Sequence, residues 1–142
     1  MQKIAFCFDL DGTVTKQEIL PLIAKEVGLN EEINLLTDIT LKGIIPFETS
    51  FKLRVRLLST IAISVVRNVI DKVILDDNIS NFIQENKSNC YIISGNLDVW
   101  VGEFIKTYLG CEYYTSKAKH EGDTLLGIER ILNKGKSIDE LR

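Results

Sequence analysis

The chain has 142 residues, 45% hydrophobic and 26% charged, which suits one folded domain with a buried core and differs from the composition of a disordered protein. Its formal net charge of −3 leaves no excess of Lys and Arg to neutralise a phosphate backbone, so no nucleic-acid partner is predicted. The longest apolar runs, such as residues 4–8, are too short to cross a bilayer, so no membrane partner is predicted.

The three cysteines include no CxxC pair of the kind that binds zinc. Cys7 and Cys90 fall inside predicted core strands, which indicates buried, reduced thiols. The chain also passes from Met1 almost directly into a strand-like run, so no signal peptide is predicted. These features together predict a cytoplasmic protein.

The first half of the chain predicts one strand followed by helices. Residues 3–8 are almost wholly apolar, which is typical of a strand covered on both faces of a parallel sheet. Apolar residues then recur at helical spacing and predict five helices. Gly28 ends the first, Pro46 opens the third, and residues 77–84 form the fifth.

The second half alternates strands and helices. A short buried strand is predicted at residues 90–93, a helix at about 97–108, and an aromatic strand at 112–115. Residues 119–128 predict a hairpin, and Ser137 is a candidate N-cap for a last helix. The order of elements predicts an α/β protein with an open parallel sheet that is interrupted early by a helical insertion.

Two carboxylates, Asp9 and Asp11, follow the first strand directly. Alternate residues at a strand end point the same way, so both carboxylates converge on one small volume at the edge where open α/β sheets bind ligands. Mg²⁺ is a suitable cation for such a pair, and one carboxylate would then attack phosphorus while the other moves a proton. An acidic turn that only caps a helix is the alternative interpretation.

The longer string FDLDGTVT at residues 8–15 resembles the first motif of the haloacid dehalogenase-like phosphatases. In that family the first Asp becomes an aspartyl-phosphate and the second is the general acid/base. Mg²⁺ is bound there by the side chain of the first and the backbone carbonyl of the second. The resemblance therefore implies that Asp9 is the nucleophile, that Asp11 is the acid/base, and that both hold Mg²⁺.

Two further motifs resemble the same family. Ile93-Ser94-Gly95 resembles its second motif, a strand that ends in Ser or Thr, which implies that Ser94 binds the phosphoryl group. Gly95 would let the backbone approach the substrate closely. The family's third motif is a lysine, for which Lys134 and Lys136 are both candidates; the apolar residues that follow favour Lys134, and a solvated loop lysine is the alternative.

The helical insertion resembles that of phosphoserine phosphatases in the order and spacing of its motifs. In those enzymes a lid Glu contacts the amino group of the substrate and a lid Arg contacts its carboxylate. The resemblance implies these roles for Glu18 and Arg54, with Phe47 as an apolar residue that shields the site. The alternative is that Glu18 and Arg54 form surface ion pairs on amphipathic helices.

The resemblance implies a Rossmann-like core of the haloacid dehalogenase type, residues 1–14 and 76–142, with a helical C1-type cap at residues 15–75. It implies a Mg²⁺-dependent phosphatase that acts on O-phosphoserine or a similar small phosphorylated metabolite, as a monomer or homodimer. Alternatives are a weakly active or inactive remnant that binds or regulates, and a phosphotransferase that uses the same nucleophile.

The chain departs from the family pattern after the lysine, because the fourth motif, a Gly-Asp-x-x-x-Asp type turn with further Mg²⁺ ligands, is not among its residues. Gly122-Asp123 precedes the lysine and lies in the predicted hairpin. We therefore expect a piece of a longer phosphatase. A gene cut by a stop codon and a short form completed by a partner chain are the alternatives.

Overall fold

The fold is known from a computed structural model that describes residues 4–141. Strands and helices alternate along the chain, except for a run of helices near its start and a hairpin of two strands near its end. Its elements, in chain order, are β1 (Phe6–Phe8), α1 (Ile19–Glu26), α2 (Asn30–Leu41), α3 (Phe47–Leu58), α4 (Ile63–Ile70), α5 (Asp77–Glu85), β2 (Cys90–Leu97), α6 (Asp98–Tyr108), β3 (Glu112–Glu121), β4 (Thr124–Arg130) and α7 (Lys134–Glu140).

The four strands form one sheet in the order β1-β2-β3-β4. Strand β2 pairs in parallel with both neighbours, while β3 and β4 form an antiparallel hairpin. The register places Phe8 of β1 beside Ile92 of β2, so the two strands end at the same edge. The predicted α/β fold with a mostly parallel sheet is confirmed.

The helical insertion leaves the sheet and returns to it at neighbouring points. An isolated antiparallel bridge joins Thr15 to Leu75, and the Lys16 N–H donates to the Ile74 carbonyl at 2.8 Å. The side-chain Oε1 of Gln17 accepts the Ile74 N–H at 2.9 Å. The predicted insertion boundaries, residues 15 and 75, lie at this paired junction. The division into two domains stays a prediction.

The core is continuous between the sheet and the insertion. Trp100, on α6, is 1% exposed and belongs to the same apolar cluster as Ile23 of α1 and Val66 of α4. Arg67 of α4 donates from Nε to the carbonyl of Val99 at 2.7 Å, which ties the insertion to α6. No helix within residues 4–141 combines the length and apolar character that a membrane span requires.

Strand β1 is shorter and more exposed than its sequence predicts. Phe6 and Phe8 pack edge-on against Phe82 of α5, but Cys7 points to the opposite face and is exposed. The prediction of a buried Cys7 thiol is therefore wrong, because β1 is an edge strand of the described sheet and is covered by α5 on one face. Lys3, the predicted first residue of this strand, lies outside the described residues.

The last helix begins four residues earlier than predicted, so Ser137 is not its N-cap. Asn133 is the N-cap, and its Oδ1 accepts the Lys136 N–H at 3.0 Å. Ser137 lies inside α7 and its hydroxyl donates back to the Asn133 carbonyl at 3.1 Å. Asn is as good an N-cap as Ser, and the earlier start places Lys134 in the first turn.

Asp123, in the turn of the β3–β4 hairpin, caps the N-terminus of α4. Its carbonyl accepts the Ile63 N–H at 2.9 Å, and its carboxylate accepts the Ser64 N–H at 2.7 Å and the Ser64 hydroxyl at 2.6 Å. Helix α4 has no side-chain cap of its own, so the hairpin satisfies N–H groups that the helix leaves open. These bonds, with Arg67, lower the pKa of Asp123.

We predict that Asp123→Asn lowers the melting temperature at neutral pH, because the charged cap of α4 is lost. A carboxyl group with a lowered folded pKa stabilises the fold above its unfolded pKa, and that stabilisation disappears as the pH falls through the folded value. The difference between the two proteins should therefore begin to shrink only below about pH 4 and vanish below the lowered folded pKa. Thermal melts across pH check this, with the exposed Glu121→Gln as control. A difference that does not depend on pH contradicts the prediction.

Candidate active site

A cavity of about 560 Å³ lies beyond the carboxyl ends of β1 and β2, beneath the helical insertion. Seven of the eight side chains or glycines predicted from the sequence line it, and Ser94 is the exception. The cavity is lined by Asp9, Asp11, Glu18, Leu20, Pro21, Thr37, Phe47, Phe51, Arg54, Gly95, Asn96, Ile131, Leu132 and Lys134.

Asp9 and Lys134 form an ion pair across 125 positions of sequence. Lys134 Nζ lies 2.9 Å from Asp9 Oδ1, and the same oxygen accepts the Leu10 N–H at 3.0 Å. Neither contact uses Oδ2. Both side chains are about half exposed, so the pair adds little to stability. Lys136 instead lines a separate cavity between β3 and α7.

The Asp11 carboxyl group is the most perturbed acid of this site. Burial, together with the negative charges of Glu18 and Asp9, raises its pKa to about 7, while Lys134 acts in the opposite direction. Its Oδ1 is buried and makes no hydrogen bond within the described chain. A carboxyl group with such a pKa exchanges a proton readily near neutral pH.

The turn that carries these acids is held by Thr15. Residues 10–14 form a wide turn in which Gly12 adopts a φ of +70°, a conformation that favours glycine. The buried Thr15 hydroxyl accepts the Gly12 N–H at 3.2 Å and donates to the Gln17 carbonyl at 2.7 Å. A Cβ at Gly12 would lie 2.8 Å from Glu18 Oε1, so the glycine lets the Glu18 carboxylate approach the turn.

The end of β2 contributes Gly95 and Asn96 to the cavity wall, whereas Ser94 lies behind it. Ser94 is 1% exposed, and its hydroxyl accepts the Asn96 N–H at 3.1 Å. Its role as a phosphoryl ligand stays a prediction. The sequence motifs predict no role for Asn96, although its place directly after Ser94-Gly95 at a strand end is a usable signal.

The insertion closes the cavity with charged and apolar groups. Burial lowers the pKa of the Arg54 guanidinium and Glu18 counteracts this, so the two side chains interact. Arg54 Nε is buried and makes no hydrogen bond among the described residues. Phe47 remains 65% exposed and stacks on Phe51 with ring centroids 6.5 Å apart. The sequence did not reveal the rest of the apolar wall: Leu20, Pro21, Phe51, Ile131 and Leu132.

The side chains of the cavity provide only some of the oxygen ligands that a hard divalent cation such as Mg²⁺ takes. Residues 4–141 contain no cluster of three or more His, Cys, Asp or Glu side chains with metal-binding geometry. Asp9 and Asp11 nevertheless place two carboxylates together, and their mutual repulsion, which contributes to the raised pKa of Asp11, is what a cation would relieve. Water and substrate oxygens commonly complete the shell of Mg²⁺, so two protein donors are compatible with it.

No family model matches the chain, but comparison with curated proteins finds phosphoserine phosphatases. The chain is 32% identical over 115 residues to a phosphoserine phosphatase of Methanocaldococcus jannaschii, covering 79% of this chain and 54% of that protein. It is 29% identical over 142 residues to a phosphoserine phosphatase of Archaeoglobus fulgidus, covering 97% of this chain and 40% of that protein. The chain thus spans about half, or less, of the curated relatives it matches.

Solved structures show the same relationship. A phosphoserine phosphatase with an analogue of its phospho-aspartyl intermediate superimposes with a TM-score of 0.81 at 27% identity, covering 99% of this chain and 71% of that one. A hydrolase of the haloacid dehalogenase family from Salmonella enterica serovar Typhi gives a TM-score of 0.88 at 24% identity, covering 98% of this chain and 50% of that one, which supports the fold.

With an acid pair after β1 and a lysine from α7 facing it, these similarities define the class of protein that the chain resembles: the hydrolases of the haloacid dehalogenase-like superfamily. Among those hydrolases the chain is similar to phosphoserine phosphatases, both to its curated relatives and to solved structures with bound substrate or with an analogue of the phospho-aspartyl intermediate.

We predict that Gly12→Ala displaces the Glu18 carboxylate, because the new Cβ would occupy its position. Gly43→Ala is the matched control, since Gly43 has a φ of +73° with open space around it. Both variants should lose about 1–2 kcal/mol of unfolding free energy through backbone strain, measured in urea. Crystal structures should show a shifted Glu18 only in Gly12→Ala; an unmoved Glu18 there contradicts the prediction.

Proposed function

We propose that the chain carries the active site of a Mg²⁺-dependent phosphomonoester hydrolase that works through an aspartyl-phosphate on Asp9. The observation that carries this proposal is the convergence of Asp9, Asp11 and Lys134 in one cavity, with Asp9 ion-paired to Lys134 and the pKa of Asp11 raised by burial to about 7. A nucleophile, an acid/base and a countercharge are the groups that phosphoryl transfer through a carboxylate needs.

In the proposed first step, Asp9 Oδ2, which is not engaged by Lys134 or Leu10, forms a bond to phosphorus. The bond from phosphorus to the leaving oxygen breaks, and Asp11 gives its proton to that oxygen. In the second step Asp11 takes a proton from water, the water oxygen bonds to phosphorus, and the bond to Asp9 breaks. Inorganic phosphate leaves and both carboxyl groups return to their starting states.

Asp9 and Asp11 are the residues that would hold Mg²⁺. When bound, the ion supplies positive charge that offsets the two carboxylates and polarises the phosphoryl oxygens. Lys134 contributes a fixed positive charge on the same side of Asp9, at 2.9 Å from Oδ1. We propose that Ser94 and Gly95 receive the phosphoryl group at the end of β2.

The proposed substrate is O-phosphoserine or a similar small phosphate. Glu18 and Arg54 line the same cavity and interact with one another, so one anion and one cation face any ligand beneath the insertion. A substrate with an ammonium and a carboxylate group would engage both of them. Phe47 and the apolar wall would exclude water, and the similarity to phosphoserine phosphatases supports this choice.

We also propose the organisation that the resemblance implied. A core made of residues 1–14 and 76–142 would carry the catalytic groups, and a cap made of residues 15–75 would carry the substrate-binding side chains. Cytoplasmic location and a monomeric or homodimeric state stay predictions.

We predict that Asp9→Asn abolishes release of phosphate from O-phosphoserine by the 142-residue chain with Mg²⁺, because an amide oxygen is a poor nucleophile. A loss of at least about 10⁴-fold, measured by phosphate assay, is expected. Lys16→Gln, a surface substitution outside the cavity lining, is the control and should retain activity. Undiminished turnover by Asp9→Asn removes the assignment of the nucleophile.

We predict that Arg54→Ala reduces kcat/KM for O-phosphoserine by about 10²-fold, because a partly buried guanidinium that would pair with the substrate carboxylate is lost. Turnover of p-nitrophenyl phosphate, which has no carboxylate, should change by less than about 3-fold. Arg56→Ala, an exposed arginine on the same helix, is the matched control. Equal losses for the two substrates contradict the proposed specificity.

A second candidate is a phosphate-binding remnant without efficient catalysis, which the small number of carboxylates in the described site favours. Calorimetry with Mg²⁺ and beryllofluoride separates the two functions, because beryllofluoride binds an aspartate nucleophile as a mimic of its phosphorylated form. Tight binding that needs both Mg²⁺ and Asp9 supports the hydrolase. Binding of inorganic phosphate without any dependence on Mg²⁺ supports the remnant.

A further inference from the structure

Two buried polar atoms of the cavity wall lack hydrogen-bond partners and are chemically complementary. Asn96 Nδ2 is a donor without an acceptor among the described residues, and Asp11 Oδ1 is an acceptor without a donor. Buried polar groups are nearly always paired, so each such atom calls for an explanation. Here one hydrogen bond would satisfy both atoms.

The local structure fixes which end of the Asn96 amide faces the site. The side chain is 3% exposed, and its Oδ1 accepts the Leu97 N–H at 3.0 Å. The Asn96 N–H is itself bound to the Ser94 hydroxyl at 3.1 Å, so the backbone of this turn is also held. Because the backbone N–H of Leu97 needs an acceptor, the amide oxygen of Asn96 faces Leu97, and its NH₂ group remains without an acceptor.

The sheet register brings this NH₂ group to Asp11. Phe8 of β1 and Ile92 of β2 lie side by side in parallel strands, so Asp11, just after β1, and Asn96, near the end of β2, lie at one edge of the sheet and line the same cavity. The Asn96 side chain also acts on the Asp11 carboxyl group as a hydrogen-bond donor that lowers its pKa, which is consistent with close approach. The two atoms do not have hydrogen-bond geometry in the structure.

We infer that Asn96 is a positioning residue: its Nδ2 donates to Asp11 Oδ1 and orients this carboxyl group toward the leaving oxygen. Asn96 does not touch the reacting atoms in this arrangement. The inference rests on the proposed function, in which Asp11 protonates that oxygen. An acid whose direction is held by a rigid neighbour transfers its proton more efficiently than one that rotates freely.

The kinetic test compares two leaving groups in Asn96→Ala. Serine leaves as an alkoxide that needs a proton, whereas p-nitrophenolate leaves without one. Turnover of O-phosphoserine should fall by about 10²-fold and that of p-nitrophenyl phosphate by less than about 3-fold. Asn89→Ala, an exposed asparagine before β2, should change neither. Equal losses for the two substrates would indicate a structural role and overturn the inference.

A spectroscopic test shows whether Asn96 donates to Asp11 without any measurement of turnover. In ¹⁵N–¹H spectra of the 142-residue chain, the side-chain amide signals that vanish in Asn96→Ala belong to Asn96. Asp11→Ala should shift one of these two protons upfield and speed its exchange with solvent, because its acceptor is gone. Unchanged shifts and exchange in Asp11→Ala would falsify the contact. If the wild-type chain releases no phosphate from either substrate, the proposed function fails, while this measurement still decides whether Asn96 bonds Asp11.

Discussion

The parallel pairing of β1 with β2 is the constraint on which the site depends. A three-residue strand places its last residue, Phe8, beside Ile92, and every polar group that follows either strand is thereby brought to one edge of the sheet. Asp9 and Asp11 come from one strand end, Gly95 and Asn96 from the other. A slip of one residue would turn alternate side chains to the opposite face and would separate the two acids from Asn96.

A second constraint is charge. Three carboxylates, those of Asp9, Asp11 and Glu18, share one cavity, and their repulsion together with burial raises the pKa of Asp11 to about 7. Two cations from distant segments offset part of this negative charge: Lys134 on α7 pairs with Asp9, and Arg54 on α3 interacts with Glu18. The charges are compensated locally, because each cation lies next to a particular carboxylate of the cavity.

Rigid connections keep these groups in place from outside the cavity. The insertion is joined to the core by the Thr15–Leu75 bridge, by Arg67 on the Val99 carbonyl, and by Asp123 at the start of α4. The hairpin that carries Asp123 continues through β4 into Leu132 and Lys134, which line the cavity. The β3–β4 hairpin therefore both contacts the insertion, through Asp123, and leads into the segment that carries Lys134. The position of the insertion is thereby coupled to the geometry of the acid pair.

Local sequence patterns were sufficient for the class of fold, the order of its elements and the turn that carries Asp9 and Asp11, because strand ends, glycine turns and helical periodicity are short-range signals. They failed for Cys7, whose burial depends on what covers β1, and for the start of α7, where Asn133 competed with Ser137 as a cap. Only the tertiary structure brought Lys134 rather than Lys136 to Asp9, placed Ser94 behind the cavity wall and set the Asn96 amide beside Asp11. Such contacts join residues far apart in sequence, and their distances are set by packing and sheet register, which no local pattern encodes.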